Sequence, residues 1–272
     1  MDNKQLKEVS TNIRKTIVEA VHAAGSGHPG GSLSAADILT VLYFEEMNID
    51  PKNPQMEGRD RFVLSKGHAA PVLYATLAER GYFPKEDVLT LRKIGGNFQG
   101  HPCRDKVPGV EMSTGSLGQG ISVAVGMAIA DKMDKKDRRV YALLGDGEIQ
   151  EGIVWEAVMS AAHYGLSNLT AIVDWNGLQI DGNNDDVMTV KPINEKFKAF
   201  GWDVIVIDGH DFDDIKKGLA HAKSITDKPT AIIAKTHKGM GVSFMQDNAG
   251  WHGKAPNDEQ LQQALKEIGG AL

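Results

Sequence analysis

Tyr141-Ala-Leu-Leu-Gly-Asp-Gly-Glu148 is a short apolar run that stops abruptly at polar, turn-forming residues, and Thr170-Ala-Ile-Val-Asp-Trp-Asn176 repeats this pattern downstream. Short apolar runs of this kind are typical of neighbouring buried parallel strands. Apolar residues at helical spacing between positions 153 and 162 predict a helix that connects them. In a strand–helix–strand unit both strands point the same way, so their carboxyl ends open on one crevice.

Polar side chains follow both of these predicted strands. Asp146 comes just after the first strand and Asn176 just after the second, so we expect their oxygens to meet at one point of the crevice. Carboxylate and amide oxygens suit Mg²⁺, which takes few protein ligands and completes its octahedron with phosphate oxygens. Gly145 and Gly147 allow a tight turn and a close approach of a diphosphate. An ordinary Gly-Asp-Gly turn is the alternative, but the second strand ending in Asn favours a binding site.

The composition limits the classes of protein that this chain can represent. Its 272 residues carry 30 Lys and Arg against 36 Asp and Glu, and the net charge of −6 favours neither nucleic acid nor an anionic membrane as a partner. The single cysteine, Cys103, excludes an internal disulfide and fits a reducing compartment. Residues Met1–Glu8 lack the apolar core of a signal peptide, and the apolar stretch Ile121–Ala130 is too short to span a bilayer. We therefore expect a soluble, cytoplasmic protein.

The rest of the chain predicts further elements of the same fold class. Helices are predicted over 6–24, from about 34, from about 69, and over 121–130, 212–222 and 258–268, and strands over 61–64, 203–207 and 229–234. For the second helix, the Ser34 hydroxyl is the predicted N-cap, with Asp37 at the third helical position. No repeat or linker divides the sequence. It therefore predicts an α/β fold, a doubly wound and mostly parallel sheet flanked by helices, in which residues 1–272 form one domain with N-terminal helical segments.

Four histidines lie next to glycines in predicted loops: His28, His68, His101 and His252. His68 follows the predicted strand over 61–64, at the carboxyl end where open α/β sheets place ligand contacts. His28 sits on a tight turn between glycines and Pro29. Any one of them alone is explained by a solvated loop. Four together favour a cluster around an anionic or polyhydroxy ligand.

Ser113-Thr-Gly-Ser-Leu-Gly-Gln-Gly120 opens the helix that continues to Ala130. Glycines before a helix expose backbone N–H groups at its positive end, which suits an anion. The loop is not a Walker motif, because no Gly-Lys-Ser/Thr follows, and it lacks the dinucleotide spacing. Close packing of the helix start is the other explanation of these glycines.

Together these motifs resemble those of the transketolase family. Gly145-Asp-Gly147 followed by Asn176 is similar to the metal and diphosphate signature of thiamine diphosphate enzymes, and the surrounding stretches Gly145–Gly152 and Asp174–Gly182 resemble transketolase in particular. The match runs over His28–Gly253, nearly the whole chain, with its motifs in the family's order. The resemblance implies transfer of a two-carbon ketol unit from a ketose phosphate to an aldose phosphate, with thiamine diphosphate as the electron sink.

The resemblance also implies roles for individual residues. Mg²⁺ or another divalent cation would be held by the side chains of Asp146 and Asn176 and by the Leu178 carbonyl. The diphosphate or thiazolium region of the cofactor would be contacted by His68, Gly147 and His252, and its aminopyrimidine side by Gly115, Ser116 and Leu117. Sugar contacts and proton transfers would belong to His28, His101 and His252, and Glu151 would communicate between two cofactor sites.

A full transketolase also carries a pyrimidine-binding domain and a C-terminal domain, and neither has a counterpart in these 272 residues. The glutamate that protonates the aminopyrimidine ring and the basic residues that grip the substrate phosphate belong to those domains. Glu45, Glu46 and Glu148 do not occur in that glutamate's motif. We therefore expect the N-terminal subunit of a split transketolase, active only with a C-terminal subunit that carries the pyrimidine-binding domain, in a heterotetramer of two of each.

Three alternatives remain open from the sequence. The alpha-type subunit of a 2-oxo acid decarboxylase or dehydrogenase shares Gly-Asp-Gly and Asn, but is not expected to combine Ser26–Gly30 with Ser65–His68. A non-catalytic thiamine diphosphate-binding module would use the same fold. A doubly wound domain that binds some nucleotide would leave the four glycine-adjacent histidines unexplained, and we rank it last.

Overall fold

The computed structural model describes residues 1–270 of the chain. Its strands are β1 (Arg61–Leu64), β2 (Val140–Gly145), β3 (Leu169–Trp175), β4 (Leu178–Gln179), β5 (Gly182–Asn183), β6 (Asp203–Asp208) and β7 (Thr230–Lys235). Its α-helices are α1 (Asn3–Ala24), α2 (Pro29–Ser34), α3 (Ala36–Val41), α4 (Ala70–Arg80), α5 (Gln119–Met133), α6 (Gly152–His163), α7 (Asn184–Val187), α8 (Ile193–Ala199), α9 (Phe212–Ser224) and α10 (Asp258–Gly270). The strands and helices predicted from the sequence are confirmed, within a few residues at their ends.

Five strands form a parallel sheet in the order β1-β2-β3-β7-β6. Gly145 at the end of β2 pairs with Asp174 of β3, and Trp175 at the end of β3 pairs with Lys235 of β7. Because these strands end in register, the segments that follow them leave the sheet at one edge. β4 and β5 form a separate antiparallel hairpin just beyond β3.

Successive residues of each strand pack on opposite faces of the sheet, as the alternation of side chains along a strand requires. On one face Leu143 and Ile172 pack in the cluster that includes Ile17 of α1 and Leu73 of α4. On the other face Val173 packs in the cluster formed with α5, α6 and α8. Both faces are therefore covered by helices, which explains why the strand sequences are apolar throughout. The predicted doubly wound α/β fold is confirmed.

The predicted cap at Ser34 is wrong. Ser34 is the last residue of α2, and its hydroxyl donates to the Gly31 carbonyl at 3.1 Å and to the carboxylate of Asp174. The next helix, α3, begins at Ala36, and Asp37 is buried against Arg14. A hydroxyl binds a carboxylate more strongly than it binds a neutral backbone group. Local spacing could not reveal this partner, because Asp174 lies 140 residues further along the chain.

The helices keep the amphipathic character that the sequence predicted. α1 is 22 residues long, buries Ile13 and Ile17, and ends at Gly25, which adopts a left-handed φ of 62° as its C-cap. Within residues 1–270, no helix combines the length and apolarity needed to cross a membrane.

Candidate active site

A cavity of about 340 Å³ opens at the carboxyl edge of the sheet, where β1, β2, β3 and β7 end. Its lining residues are His28, Gly31, Lys66, His68, Gly115, Leu117, Gly145, Asp146, Gly147, Glu148, Gln150, Glu151, Asn176, Leu178, Gln179, Ile180, Lys238 and His252. They come from loops that are far apart in the sequence, and the parallel sheet brings these loops together.

The turn after β2 is tied to the turn after β3 by the carboxylate of Asp146. One of its oxygens accepts from the Gly147 N–H at 2.8 Å and the other from the Gly177 N–H at 2.5 Å. Burial, together with the nearby charge of Asp174, raises the pKa of Asp146 to about 6. The amide oxygen of Asn176 accepts from the Leu178 N–H at 3.1 Å. Asp146, Asn176 and Leu178 therefore line one side of the cavity with oxygen atoms.

Two lysines reach the same cavity from opposite strand ends. The Lys66 ammonium donates to the carboxylate of Asp174 and, at 2.8 Å, to the Gly31 carbonyl. Lys238 donates to the Leu178 carbonyl at 3.0 Å. Burial lowers the pKa of Lys238 to about 8, with the charge of Lys66 acting in the same direction. Burial favours the neutral acid form of Asp174, but the charge of Lys66 holds the pKa of that carboxyl below its usual value.

Three of the four glycine-adjacent histidines form a cluster at the cavity. The ring centroid of His28 lies 5.3 Å from that of His68 and 5.3 Å from that of His252, and His68 and His252 are 5.0 Å apart. Burial lowers the pKa of His28 to about 4 and that of His252 to about 3, and takes the pKa of His68 well below its usual value. All three rings are therefore neutral at neutral pH, so each offers one N–H donor and one nitrogen acceptor.

The glycine loop before α5 is held against the sheet by Glu148. This carboxylate accepts from the Ser65 hydroxyl at 2.5 Å, from the Gly118 N–H at 2.9 Å and from the Gly145 N–H at 2.9 Å. It thereby joins the loops after β1 and β2 to the loop that carries Gly115 and Leu117. Burial raises the pKa of Glu148, because the charged form loses water.

Two of the predicted site residues do not line the cavity. Ser116 is exposed, and His101 is an exposed residue whose ring packs beside Gly115, where a Cβ would come within 3.2 Å of it. His101 still contributes to the low pKa of His28, after burial and Arg92, so it lies near the rim. Glu151 lines the cavity but is exposed, at the N-terminal end of α6.

Sequence reasoning missed Lys66, Lys238 and Asp174 as parts of this site. The two lysines stand in the stretches Ser65–His68 and Lys235–Val242, each directly after a buried strand and next to a glycine. A lysine placed there was the available signal, because a buried ammonium needs an anionic partner. Asp174 carried no comparable signal, since it lies inside β3.

The residues around the cavity suit a diphosphate and a hard cation. Within residues 1–270, no cluster of three or more His, Cys, Asp or Glu side chains could hold a metal, so a cation here would need neutral oxygens and ligand phosphates. That is the ligand set Mg²⁺ accepts. Nδ2 and Oδ1 of Asn184 are buried without hydrogen-bond partners close to Gly147, and so is Nδ1 of His252. Unpaired polar atoms of this kind fit a site that receives a polar ligand.

Comparisons with known proteins agree with this geometry. The family model for transketolase, thiamine diphosphate binding domain, matches residues 5–271. One of the two subunits of the apulose-4-phosphate transketolase of Phocaeicola vulgatus is 44% identical over 268 residues, which is 98% of this chain and 95% of that protein. A 6-deoxy-6-sulfo-D-fructose transketolase subunit of a Clostridium species is 43% identical over 263 residues, 97% of this chain and 96% of that protein.

A solved structure gives the same result. The transketolase of Campylobacter jejuni superimposes with a TM-score of 0.93 at 36% identity, over 99% of this chain but only 43% of that one. The chain therefore spans less than half the length of that transketolase. Fold, cavity and matches together establish that the chain belongs to the transketolase family and carries its N-terminal, thiamine diphosphate-binding domain.

Proposed function

We propose that this chain is the cofactor-binding subunit of a split transketolase, which transfers a two-carbon ketol unit from a ketose phosphate to an aldose phosphate. One observation carries the proposal: a cavity with two buried lysines and three clustered histidines lies in a chain that matches two transketolase subunits over nearly their whole length. Those relatives act on apulose 4-phosphate and on a sulfonated fructose, according to their names. Ordinary pentose phosphates are the first substrates to test.

In this proposal Mg²⁺ is held by Asp146, Asn176 and the Leu178 carbonyl. Support comes from their position on one side of the cavity and from their oxygen atoms, which suit a hard cation. The carboxylate of Asp146 already takes two backbone N–H groups, which fixes its orientation before any ligand arrives. Binding of a divalent cation would also favour its ionised form.

The diphosphate of the cofactor would lie between the two lysines. Lys66 and Lys238 supply positive charge in a buried setting, where it interacts strongly with phosphate oxygens. Gly147 leaves the backbone open at the turn after β2, since a Cβ there would come within 3.2 Å of the Gln179 side chain. His68 lies beside Gly31 and Lys66 at the same end of the cavity.

Thiamine diphosphate, when bound, supplies the electron sink that cleavage of a carbon–carbon bond next to a ketone requires. The chain's own residues orient the ligands and handle protons. His28 and His252, neutral at neutral pH, are suited to bind sugar hydroxyls and to accept or return a proton. His101 at the rim, Gly115, Ser116 and Leu117 would complete the contacts to the sugar and to the aminopyrimidine side.

The assembly proposed for this subunit follows from what its residues do not supply. We take residues 1–272 as one cofactor-binding domain, and the partner as a C-terminal subunit that carries the pyrimidine-binding domain, in a heterotetramer of two of each in the cytoplasm. Glu151 lies exposed at the rim of the cavity, the position needed for contact with another subunit and with a second cofactor site.

The test is consumption of a ketose phosphate with thiamine diphosphate, Mg²⁺ and an aldose acceptor. The chain is assayed alone and mixed with a candidate C-terminal subunit, beside the variants Asp146→Ala and His28→Ala. We expect turnover only in the mixture, and its loss in both variants. Turnover by the chain alone would overturn the division of labour between subunits. Cofactor binding without turnover of any sugar phosphate in the mixture would overturn the transketolase reaction and favour a non-catalytic binding module.

A further inference from the structure

A buried group of charges lies outside the cavity, between α1, α3 and the end of β6. The guanidinium of Arg14 donates to both oxygens of Asp37, at 2.8 and 2.6 Å. The hydroxyl of Ser10 donates to Asp37 at 2.5 Å, and Nδ1 of His210 lies 2.8 Å from its other oxygen. Although burial favours the neutral acid form, Arg14 keeps the pKa of Asp37 below its usual value. Asp37 is therefore a fixed anion that orients Arg14 and His210.

Both partners of Asp37 reach onward to one loop. Nε2 of His210 accepts from the backbone N–H of His237 at 2.9 Å, and Nε of Arg14 donates to the Met240 carbonyl at 3.3 Å. Because Nε2 accepts, the proton of the neutral His210 ring is on Nδ1, which faces the carboxylate. The His237 ring stacks on the His210 ring, with centroids 5.9 Å apart and an angle of 11° between the planes.

The loop held in this way, residues 236–240, presents Lys238 to the cavity. The Thr236 hydroxyl donates to the buried carboxylate of Asp174, and the Lys238 ammonium donates to the Leu178 carbonyl at 3.0 Å. Only 2% of Lys238 is exposed. The end of β6 packs closely on this loop, since a Cβ on Gly209 would come within 2.5 Å of the Thr236 methyl group.

We infer that the Arg14–Asp37–His210 group positions Lys238, because it fixes the backbone on both sides of that lysine, at the His237 N–H and at the Met240 carbonyl. The inference rests on the proposed function for its purpose, which is to hold an ammonium where the cofactor diphosphate needs it. The three residues touch neither substrate nor cofactor, and so they are positioning residues. A merely structural role would change stability without a selective effect on Lys238.

The test uses two variants that each keep one nitrogen position of His210. Gln in place of His puts an amide at the position of Nε2, so His210→Gln retains an acceptor for the His237 N–H and loses the contact with Asp37. Asn puts an amide at the position of Nδ1, so His210→Asn retains the Asp37 contact and loses the acceptor. Lys238 is then acetylated in the intact chain and measured by peptide mass spectrometry, with the exposed Lys235 as an internal reference.

We expect acetylation of Lys238, relative to Lys235, to rise about threefold to tenfold in His210→Asn, the effect of losing one net hydrogen bond. In His210→Gln it stays near the unmodified chain. The control is His221→Asn, which removes another histidine–aspartate contact, that of His221 with Asp203 at 2.7 Å. This control leaves the ratio unchanged. Should His210→Asn fail to fold, Arg14→Lys removes the donor to Met240 while keeping the charge, and is expected to raise the ratio.

An unchanged ratio in His210→Asn, or an equal rise in the Gln and Asn variants, would overturn the inference. Calorimetric titration with inorganic pyrophosphate and Mg²⁺ separates it from the proposed function. We expect weaker pyrophosphate binding in His210→Asn alone. If the acetylation ratios change as expected while no variant, and not the unmodified chain either, binds pyrophosphate, then the positioning of Lys238 stands and the diphosphate site of the proposed function is wrong.

Discussion

Asp146 and Asp174 are two buried carboxylates at the ends of adjacent strands, and their pKa values shift in opposite directions. Asp174 takes hydrogen bonds from Lys66, Ser34 and Thr236, and its pKa falls despite complete burial. Within residues 1–270, no lysine or arginine forms an ion pair with Asp146, and burial raises its pKa to about 6. Asp174 is thus neutralised by the protein itself, whereas Asp146 is the carboxylate that gains most from a bound cation.

The neutral histidines predict a specific loss of stability in acid. The pKa values of His28 and His252 are lowered to about 4 and about 3, while an unfolded histidine titrates near 6.5. Below about 6.5 the unfolded chain binds more protons than the folded one, so their contribution is complete above that pH and is lost as the pH falls towards 4. We expect a smaller drop in melting temperature between pH 7 and pH 5 in the double variant His28→Gln/His252→Gln.

The control for this experiment is His163→Gln, which replaces an exposed histidine at the end of α6 and leaves the pH dependence unchanged. The same acid sensitivity in the double variant and in the unmodified chain would show that these two rings are not the cause.

Glu148 gives a second prediction at the residue scale. Its two oxygens accept from three donors, so Glu148→Gln places an amide NH₂ against an N–H or hydroxyl donor in a buried site. We expect the free energy of unfolding to fall by about 1 to 3 kcal/mol, the cost of an unpaired buried polar group. Urea unfolding measures the change. Glu8→Gln, on the exposed side of α1, is the control and should stay within about 0.5 kcal/mol.

Residue identities in the site were predictable where a motif carried them. Asp146, Gly147, Asn176 and the clustered histidines follow strands or stand between glycines, and these local signals led to the right cavity. The partners of Asp174 could not be read in the same way, since Ser34, Lys66 and Thr236 come from three distant parts of the chain. Contacts of that kind are set by packing of the sheet, not by spacing along the sequence.

At the scale of elements, α5 contains two glycines with different surroundings. A Cβ on Gly120 would come within 2.5 Å of the Ser65 Cα, so this glycine allows the start of α5 to pack against the loop after β1. A Cβ on Gly126 would meet nothing within 4 Å. The sequence left open whether the glycines of the loop before α5 serve an anion site or close packing, and for Gly120 the contact distance indicates close packing.

These glycines give a matched pair of variants in one helix. We expect Gly120→Ala to lower the free energy of unfolding by about 1 to 3 kcal/mol, because the backbone of Ser65 must move. Gly126→Ala should raise it by about 0.5 to 1 kcal/mol, since alanine restricts the unfolded chain and favours the helix. Thermal and urea unfolding of both variants check the difference. Equal effects would contradict close packing at Gly120.

The elements were easier to predict than their caps and connections. The strands of the sheet stand out as buried apolar runs, and this pattern survives in any packing that covers both faces. The hairpin β4–β5 and the short helix α7 between Leu178 and Val187 were not predicted, because that segment has neither helical nor strand periodicity. Its conformation depends instead on contacts such as those from Gln150 to Gln179 and to the Met188 carbonyl, at 2.6 and 2.7 Å.

At the scale of the whole molecule, the proposed partner subunit predicts which surface residues matter. Ile180 lines the cavity and yet is 63% exposed, at the tip of the hairpin. We expect Ile180→Asp to leave the melting temperature of the chain within about 2 °C and to reduce turnover and complex formation in the mixture, because a charge would be placed in an apolar contact. Light scattering and the ketose phosphate assay measure both effects.

The control for this variant is Met133→Asp at the far end of α5, where the side chain is 77% exposed. It should leave assembly unchanged. Normal assembly of the Ile180→Asp chain would exclude this rim as part of the contact with the partner.

The position of β7 has a consequence for biosynthesis. β7 is the last strand of the sheet to be made, yet it lies in the interior, between β3 and β6. Until Thr230–Lys235 leave the ribosome, β3 keeps an open edge and β6 has no neighbour in the sheet. The nascent chain therefore has no complete cavity until translation is nearly over, and a ribosome paused before Thr230 would present the kind of unpaired strand edge that chaperones protect.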